Sequence, residues 1–279
     1  MLTAARPETG ATPAVPSPAP DQPLYTPLPY PADRAAHFLD VDATPLLTPT
    51  VLEARQALTH CANEQAMLCL FGPCGTGKTF AVRALLTALA PGRHQPLALR
   101  ARPTPTDLRS ALLHTLGLPD EPPNRPAACD RLILEALRAR RPVLALDEAQ
   151  QLSDTCFEYL RYLYDQSDGL CIVLISAEHA GHALREQRML ASRTAAWLQT
   201  APLQRAHVPT AIRRLHPLWR QATAETLHRV DNCYAHGNLR RWTLLTHHVQ
   251  RSQTTPGPRS LEHHLQAALH RIDPAHPRP

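Results

Sequence analysis

Lysine is almost missing from this 279-residue chain: of 29 basic residues only Lys78 is a lysine, and the others are arginine. Long apolar runs are missing too. The longest reach about eight residues, far short of the ~20 that a membrane-spanning helix needs, and the N-terminus shows no apolar leader core. Seven cysteines are scattered at 61, 69, 74, 129, 156, 171 and 233 with no C-x-x-C pair. Such an odd, unpatterned set excludes a disulfide framework and fits a reducing compartment. His247-His248 and His263-His264 lack Cys or acidic partners at ligand spacing, so no zinc site is expected. No Ser-His-Asp order, internal repeat or recognisable DNA-reading domain stands out. These absences predict a soluble cytoplasmic protein with no membrane partner.

The one lysine stands in Gly72-Pro73-Cys74-Gly75-Thr76-Gly77-Lys78-Thr79, which fits the phosphate-binding loop G-x-x-x-x-G-K-[ST]. The apolar run 66–71 before it reads as a buried strand. Thr79 to Ala90, opening with Phe80, reads as a helix with apolar residues at helical spacing. In that context the glycines let backbone N–H groups turn inward around a phosphate, and the helix N-terminus adds a favourable dipole. Lys78 is expected on the β- and γ-phosphates of ATP and the Thr79 hydroxyl on Mg²⁺. A dinucleotide fingerprint fits poorly, because Phe80 stands where that pattern needs Gly or Ala. An ammonium suits this slot as a compact point charge, which guanidinium is not.

A second apolar strand, 142–146, ends in Asp147-Glu148, 69 positions after Lys78. Asp147 is expected to hold Mg²⁺ through its water shell, and Glu148 to orient and polarise the attacking water. Hydrolysis, and not binding alone, is the expected outcome.

Along the chain, residues 1–31 form a Pro-rich tail expected to be disordered or polyproline-like, in which Tyr25, Leu28 and Tyr30 either dock on a partner or merely link. Residues 32–47 connect. A helix from Thr50 (N-cap, with Glu53 in the capping-box position) to about Ala62 opens an α/β core over 48–204. Further strands are expected at 97–101, 170–176 and 197–203, with helices at 107–116, 127–140, after Ser153, and at 179–192. Strands alternating with helices imply a parallel sheet covered on both faces, the three-layer αβα arrangement of a P-loop NTPase. Beyond about 205 only helical patterns remain (209–222, 223–235, 238–251 and 258–271), giving a small all-helical lid over 205–275. Residues 203–279 carry 11 arginines against 4 acids. With a net charge of +5, this permits a nucleic-acid partner without requiring one.

The order GPCGTGKT, VLALDEAQ, LCIVLIS, SRT, GNLRR resembles that of an AAA+ ATPase over about residues 48–250. With its DEAQ wording and compact lid, the chain looks most like the ATPases that regulate DNA transposition (TnsC, TniB and MuB-like proteins). These are relatives of the origin-recognition ATPases and of ExeA-like secretion ATPases. The resemblance implies Ser176 at the sensor 1 position, where many relatives have Asn or Thr. It implies Arg193 as the finger reaching a neighbouring subunit's γ-phosphate, with Arg188 as the competitor. It implies Arg240 as the sensor 2 arginine, or Arg241 in its stead. It further implies self-assembly into a ring or filament, and double-stranded DNA contacted by Arg100, Arg102, Thr104 and Arg109, with a transposase as protein partner. An ExeA-like secretion or signalling ATPase that never meets DNA, and a non-catalytic nucleotide-gated scaffold, remain as alternatives.

Overall fold

The computed structural model describes residues 24–28, 39, 41–118, 123, 125–253 and 260–273. Five strands form one parallel sheet: β1 (Met67–Gly72), β2 (His94–Leu97), β3 (Val143–Leu146), β4 (Cys171–Ala177) and β5 (Thr194–Gln199), in the order β2-β3-β4-β1-β5. β1, β3 and most of β4 are buried on both faces. Each Leu, Ile or Val removed from water there contributes roughly 1.5–3 kcal/mol, so these continuous apolar runs become the inner strands.

Alternate strand residues serve two cores. Leu68, Leu70, Ala145 and Val173 pack under α1 (Pro49–Glu64) and α2 (Lys78–Leu89). Phe71, Leu144, Leu146 and Leu174 pack under α3 (Pro105–Thr115), α4 (Pro126–Arg140) and α5 (Asp154–Gln166). α6 (Glu178–Glu186) and α7 (Arg188–Ala191) complete that side and lead into β5. A third core belongs to the lid: α8 (Val208–Leu215), α9 (Ala224–Val230), α10 (Leu239–Gln253) and α11 (Leu261–Ile272). At its centre Trp219 and Trp242 meet edge to face at 5.3 Å. Their indole N–H groups donate to Thr246 Oγ1 (2.9 Å) and to the buried Asp231 carboxylate (3.1 Å).

Several boundaries differ from the sequence expectation. The N-cap of α1 is Thr48, whose hydroxyl accepts from the Val51 N–H, and not Thr50; Pro49 occupies the first helical position, where its missing N–H is harmless. The second strand runs over His94–Leu97 instead of 97–101; among the described residues it pairs with β3 alone, and an edge tolerates Pro96. The last strand is Thr194–Gln199, earlier than 197–203. The helix expected over 179–192 breaks at Gln187, which is extended and donates from its side chain to Asp154 Oδ1 at 3.0 Å. The helix expected over 209–222 stops at Leu215, because His216 before Pro217 takes the extended backbone that a following proline favours.

Residues 24–28 of the Pro-rich tail are part of the folded body. The Tyr25 N–H donates to Leu47 O (2.8 Å), the Leu47 N–H to Thr26 O (2.8 Å) and the Leu28 N–H to Pro45 O (2.9 Å). Tyr25 is 3% exposed and packs into the lid core with Leu46. Tyr30 and most of the expected loop 119–126 lie outside the described residues.

Candidate nucleotide site

All five strands are parallel, so the polar residues that end β1, β3 and β4 emerge on one edge, the usual place for a ligand in an open α/β sheet. β4 lies between β1 and β3, with Phe71 opposite Ser176 and Leu146 opposite Leu174. Ser176 is thereby set between the phosphate loop and the Asp147-Glu148 pair.

The loop after β1 turns on glycines at two positions where nothing else serves. Gly75 has φ +79, and a Cβ there would come within 2.2 Å of the Asn238 side chain. Gly77 has φ +93 and forms the N-cap of α2 with no side-chain cap, so the helix presents its first N–H groups to the cavity. Lys78 follows as the first residue of α2. It is 8% exposed, and its ammonium donates to Gly72 O and Pro73 O, both at 2.8 Å. Burial lowers its pKa, and the neighbouring Cys74, Glu148 and Asp147 oppose that shift. The carbonyls hold the lysine head beside the loop, where a phosphate oxygen can replace them as its partner. The buried Thr76 hydroxyl donates to Pro73 O (3.0 Å) and meets the buried Thr200 hydroxyl (2.9 Å), which ties the loop to the end of β5.

A cavity of about 470 Å³ opens over this loop, large enough for a nucleotide. Cys74 to Phe80 form its floor, Asp147, Glu148 and Ser176 one wall, and Leu239, Arg240 and Thr243 of the lid another. The apolar end is closed by residues 43–46 with Val51 and Leu215. Asp147 is half-buried and its Oδ1 accepts the Glu148 N–H at 2.9 Å. Glu148 is exposed and held in the left-handed region at φ +53, a conformation that costs a non-glycine residue roughly 1–3 kcal/mol and clusters at functional sites. The Ser176 hydroxyl donates to Gln150 Oε1 at 3.0 Å.

The lid is docked on the loop directly. Asn238 caps α10, accepting the Arg241 N–H at 3.1 Å, and its Nδ2 donates to Cys74 O at 2.8 Å. The Arg240 N–H donates to Gly75 O at 3.3 Å. Of the two arginines weighed for the sensor 2 position, Arg240 lines the cavity, whereas Arg241 turns to Tyr234, donating to its carbonyl at 2.9 Å.

The remaining sequence candidates lie apart. Arg193 does not line the cavity; it forms a two-pronged ion pair with Asp165 (2.6 and 2.8 Å), whose pKa it lowers through those hydrogen bonds. The Arg188 side chain lies outside the described residues. Thr104 is the N-cap of α3 in a capping box with Asp107, and Arg100 pairs with the same carboxylate at 2.8 Å. Arg109 is bound to Asp130 at 2.7 Å, with Tyr159 donating to that carboxylate at 2.6 Å. Arg102 is exposed at φ +51. Thr104 therefore caps α3, and Arg109 ties it to α4.

Sequence reasoning missed Asn238, Thr200 and Gln150. Asn238 carried a signal, a Gly-Asn pair before a helical pattern. Thr200 carried none, since only the β1–β5 pairing brings it to the loop.

Asp147 and the Thr79 hydroxyl line the same cavity beside Lys78 and offer hard oxygen donors, the chemistry that suits Mg²⁺. Among the described residues no three His, Cys, Asp or Glu side chains gather as a metal site of their own. Among the same residues no helix is long and apolar enough to cross a membrane.

Comparison with known proteins agrees with this geometry. Residues 61–184 match the family described as AAA domain. General secretion pathway protein A of Aeromonas hydrophila is 31% identical over 183 residues, covering 58% of this chain and 33% of that protein. The chain thus spans about a third of the length of that curated relative. Among solved structures, the Aeropyrum pernix ORC2 protein (ADPNP-ADP complexes) aligns with TM-score 0.64 at 14% identity, over 88% of this chain and 72% of that one. The Aeropyrum pernix ORC1 protein in complex with DNA aligns with TM-score 0.59 at 17% identity, over 80% and 64%. At such identities the structural likeness speaks for the fold. The AAA-domain match over residues 61–184, the parallel five-stranded sheet and the helical C-terminal part agree on a P-loop fold of the AAA+ type.

Proposed function

We propose that this chain binds ATP with Mg²⁺ in the cavity between core and lid and hydrolyses it. The carrying observation is that Lys78, Thr79, Asp147, Glu148, Ser176 and Arg240, drawn from two strand ends, one core helix and the lid, border one cavity. Lys78 and the N–H groups of the loop bind and neutralise the phosphates. Thr79 and Asp147 hold Mg²⁺, which supplies charge neutralisation at the β- and γ-phosphates. Glu148 accepts a proton from the attacking water, a role that contributes about 10²- to 10⁴-fold in rate. Arg193 serves a neighbouring copy, which agrees with its place away from its own cavity, so turnover requires assembly into a ring or filament.

The test is nucleotide binding and turnover in three variants. Lys78→Ala is expected to lose ATP binding. Glu148→Gln is expected to keep binding and lose turnover, and retained turnover there overturns the assignment; it also separates an ATPase from a nucleotide-gated scaffold. Arg193→Ala is expected to bind ATP and not hydrolyse it.

We further propose that the assembly forms on double-stranded DNA and regulates transposition, selecting target DNA and engaging a transposase. The motif order and the basic lid support this reading. A second reading, a secretion-linked ATPase that does not meet DNA, is supported by the match to general secretion pathway protein A. A gel shift on duplex DNA that requires a non-hydrolysable ATP analogue and fades as salt rises is expected for the first. No shift at any ionic strength favours the second.

A further inference from the structure

The geometry points to Gln150 as a positioning residue for Glu148, one that ties the orientation of the attacking-water base to the end of β4. Gln150 does not line the cavity, yet it touches three residues that do. Its Nε2 donates to Glu148 Oε2, and its Oε1 accepts both the Ser176 hydroxyl (3.0 Å) and the Ala177 backbone N–H (3.2 Å).

The donor pattern leaves the amide one orientation. A backbone N–H can only donate, so the group facing Ala177 must be the amide oxygen. The NH₂ group must then face Glu148, whose carboxylate it meets as a donor. Glu148 needs such a restraint, because its left-handed backbone and exposure leave the side chain few other anchors among the described residues. The tether is short: the 3₁₀ turn Ala149–Gln151 folds Gln150 back toward β4, and the Gln151 N–H closes it on Glu148 O at 2.8 Å.

The same pattern constrains Ser176. Its proton is committed to Gln150, so the hydroxyl cannot also donate to a phosphate oxygen. Turning it toward the cavity removes one of the two donors that hold the Gln150 oxygen, while Ala177 keeps the other. Contact between Ser176 and the terminal phosphate thereby loosens the hold on Glu148. Sensing and base positioning are linked through one side chain.

This inference rests on Glu148 being the base of the proposed hydrolysis, and two substitutions separate it from a structural role. Gln150→Ala removes both functions of the amide. Gln150→Glu keeps an oxygen for Ser176 and Ala177 but replaces the donor facing Glu148 with a like charge. The assay is steady-state Mg-ATP turnover of the full chain, with Glu148→Gln run alongside and melting temperatures recorded. If Gln150 positions Glu148, both variants lose about tenfold or more in kcat, the value of a hydrogen bond to a charged group, with KM for ATP changed less than about threefold. Gln150→Glu should then be no better than Gln150→Ala. If Gln150 merely braces β4, Gln150→Glu retains wild-type kcat while Gln150→Ala does not, and the inference falls. Turnover that survives in Glu148→Gln overturns the functional reading itself. Loss in Glu148→Gln with wild-type rates in both Gln150 variants overturns only the positioning role.

Discussion

Gly75→Ala tests whether the lid is held against the phosphate loop by Asn238. A Cβ at position 75 would lie 2.2 Å from Asn238 Oδ1 and 2.7 Å from its Cγ and Nδ2, so the side chain must turn away. It then gives up its bond to Cys74 O (2.8 Å) and its cap on the Arg241 N–H (3.1 Å). A lost cap costs about 1 kcal/mol and a lost hydrogen bond about the same. Alanine at φ +79 adds roughly 1–2 kcal/mol of backbone strain. Gly75→Ala should therefore cost about 3–4 kcal/mol and Asn238→Ala about 2. In the double variant the two Asn238 bonds can be lost only once, so its cost should match Gly75→Ala alone. The non-additivity is then about 2 kcal/mol, well above what distant sites show. Urea unfolding of the four proteins, followed by tryptophan fluorescence and circular dichroism, measures it. ATP affinity should fall in Asn238→Ala although the loop glycines are intact, because α10, which carries Arg240, is less firmly docked. Strictly additive losses, or unchanged ATP affinity in Asn238→Ala, refute the reasoning.

Two further outcomes follow from the packing. Tyr25→Ala empties a side chain that is 3% exposed, at a cost of about 3 kcal/mol, and should release residues 24–28. Amide exchange at Leu47, whose N–H donates to Thr26 O, should quicken, and unchanged protection there counts against a docked tail. Asp107 is held down to about pKa 2, from an ordinary 3.8, chiefly by the Thr104 hydroxyl and backbone N–H and also by Arg100. A depressed carboxylate stabilises the fold above its unfolded pKa and stops doing so as pH falls through its folded one. The stability gap between wild type and Asp107→Asn should thus be full above about pH 4 and close toward about pH 2, and a gap constant across that range refutes the capping role.

The inner strands were legible in the sequence to within about a residue at either end, since β1, β3 and β4 are buried on both faces and must be continuously apolar. The edge strands were misplaced. β2 and β5 are half-exposed, β2 carries no apolar run and β5 only the short Ala195–Leu198, so pairing with a neighbour sets their bounds. Likewise the phosphate loop and the Asp147-Glu148 pair are local patterns whose spacing carries their chemistry.

What the sequence determined by itself is the candidate phosphate loop and the strand-end acids, because glycine freedom, a lysine at a helix start and a carboxylate after an apolar run are each written in a few neighbouring residues. What only the tertiary structure decided is who meets that machinery. Asn238 lies 164 positions from Cys74, Thr200 lies 124 from Thr76, and Gln150 lies 26 from Ser176. The order β3-β4-β1-β5 and the docking of the lid bring these pairs within hydrogen-bonding reach. Contact across such separations is set by the packing of the two apolar cores and the lid core, which no local pattern encodes.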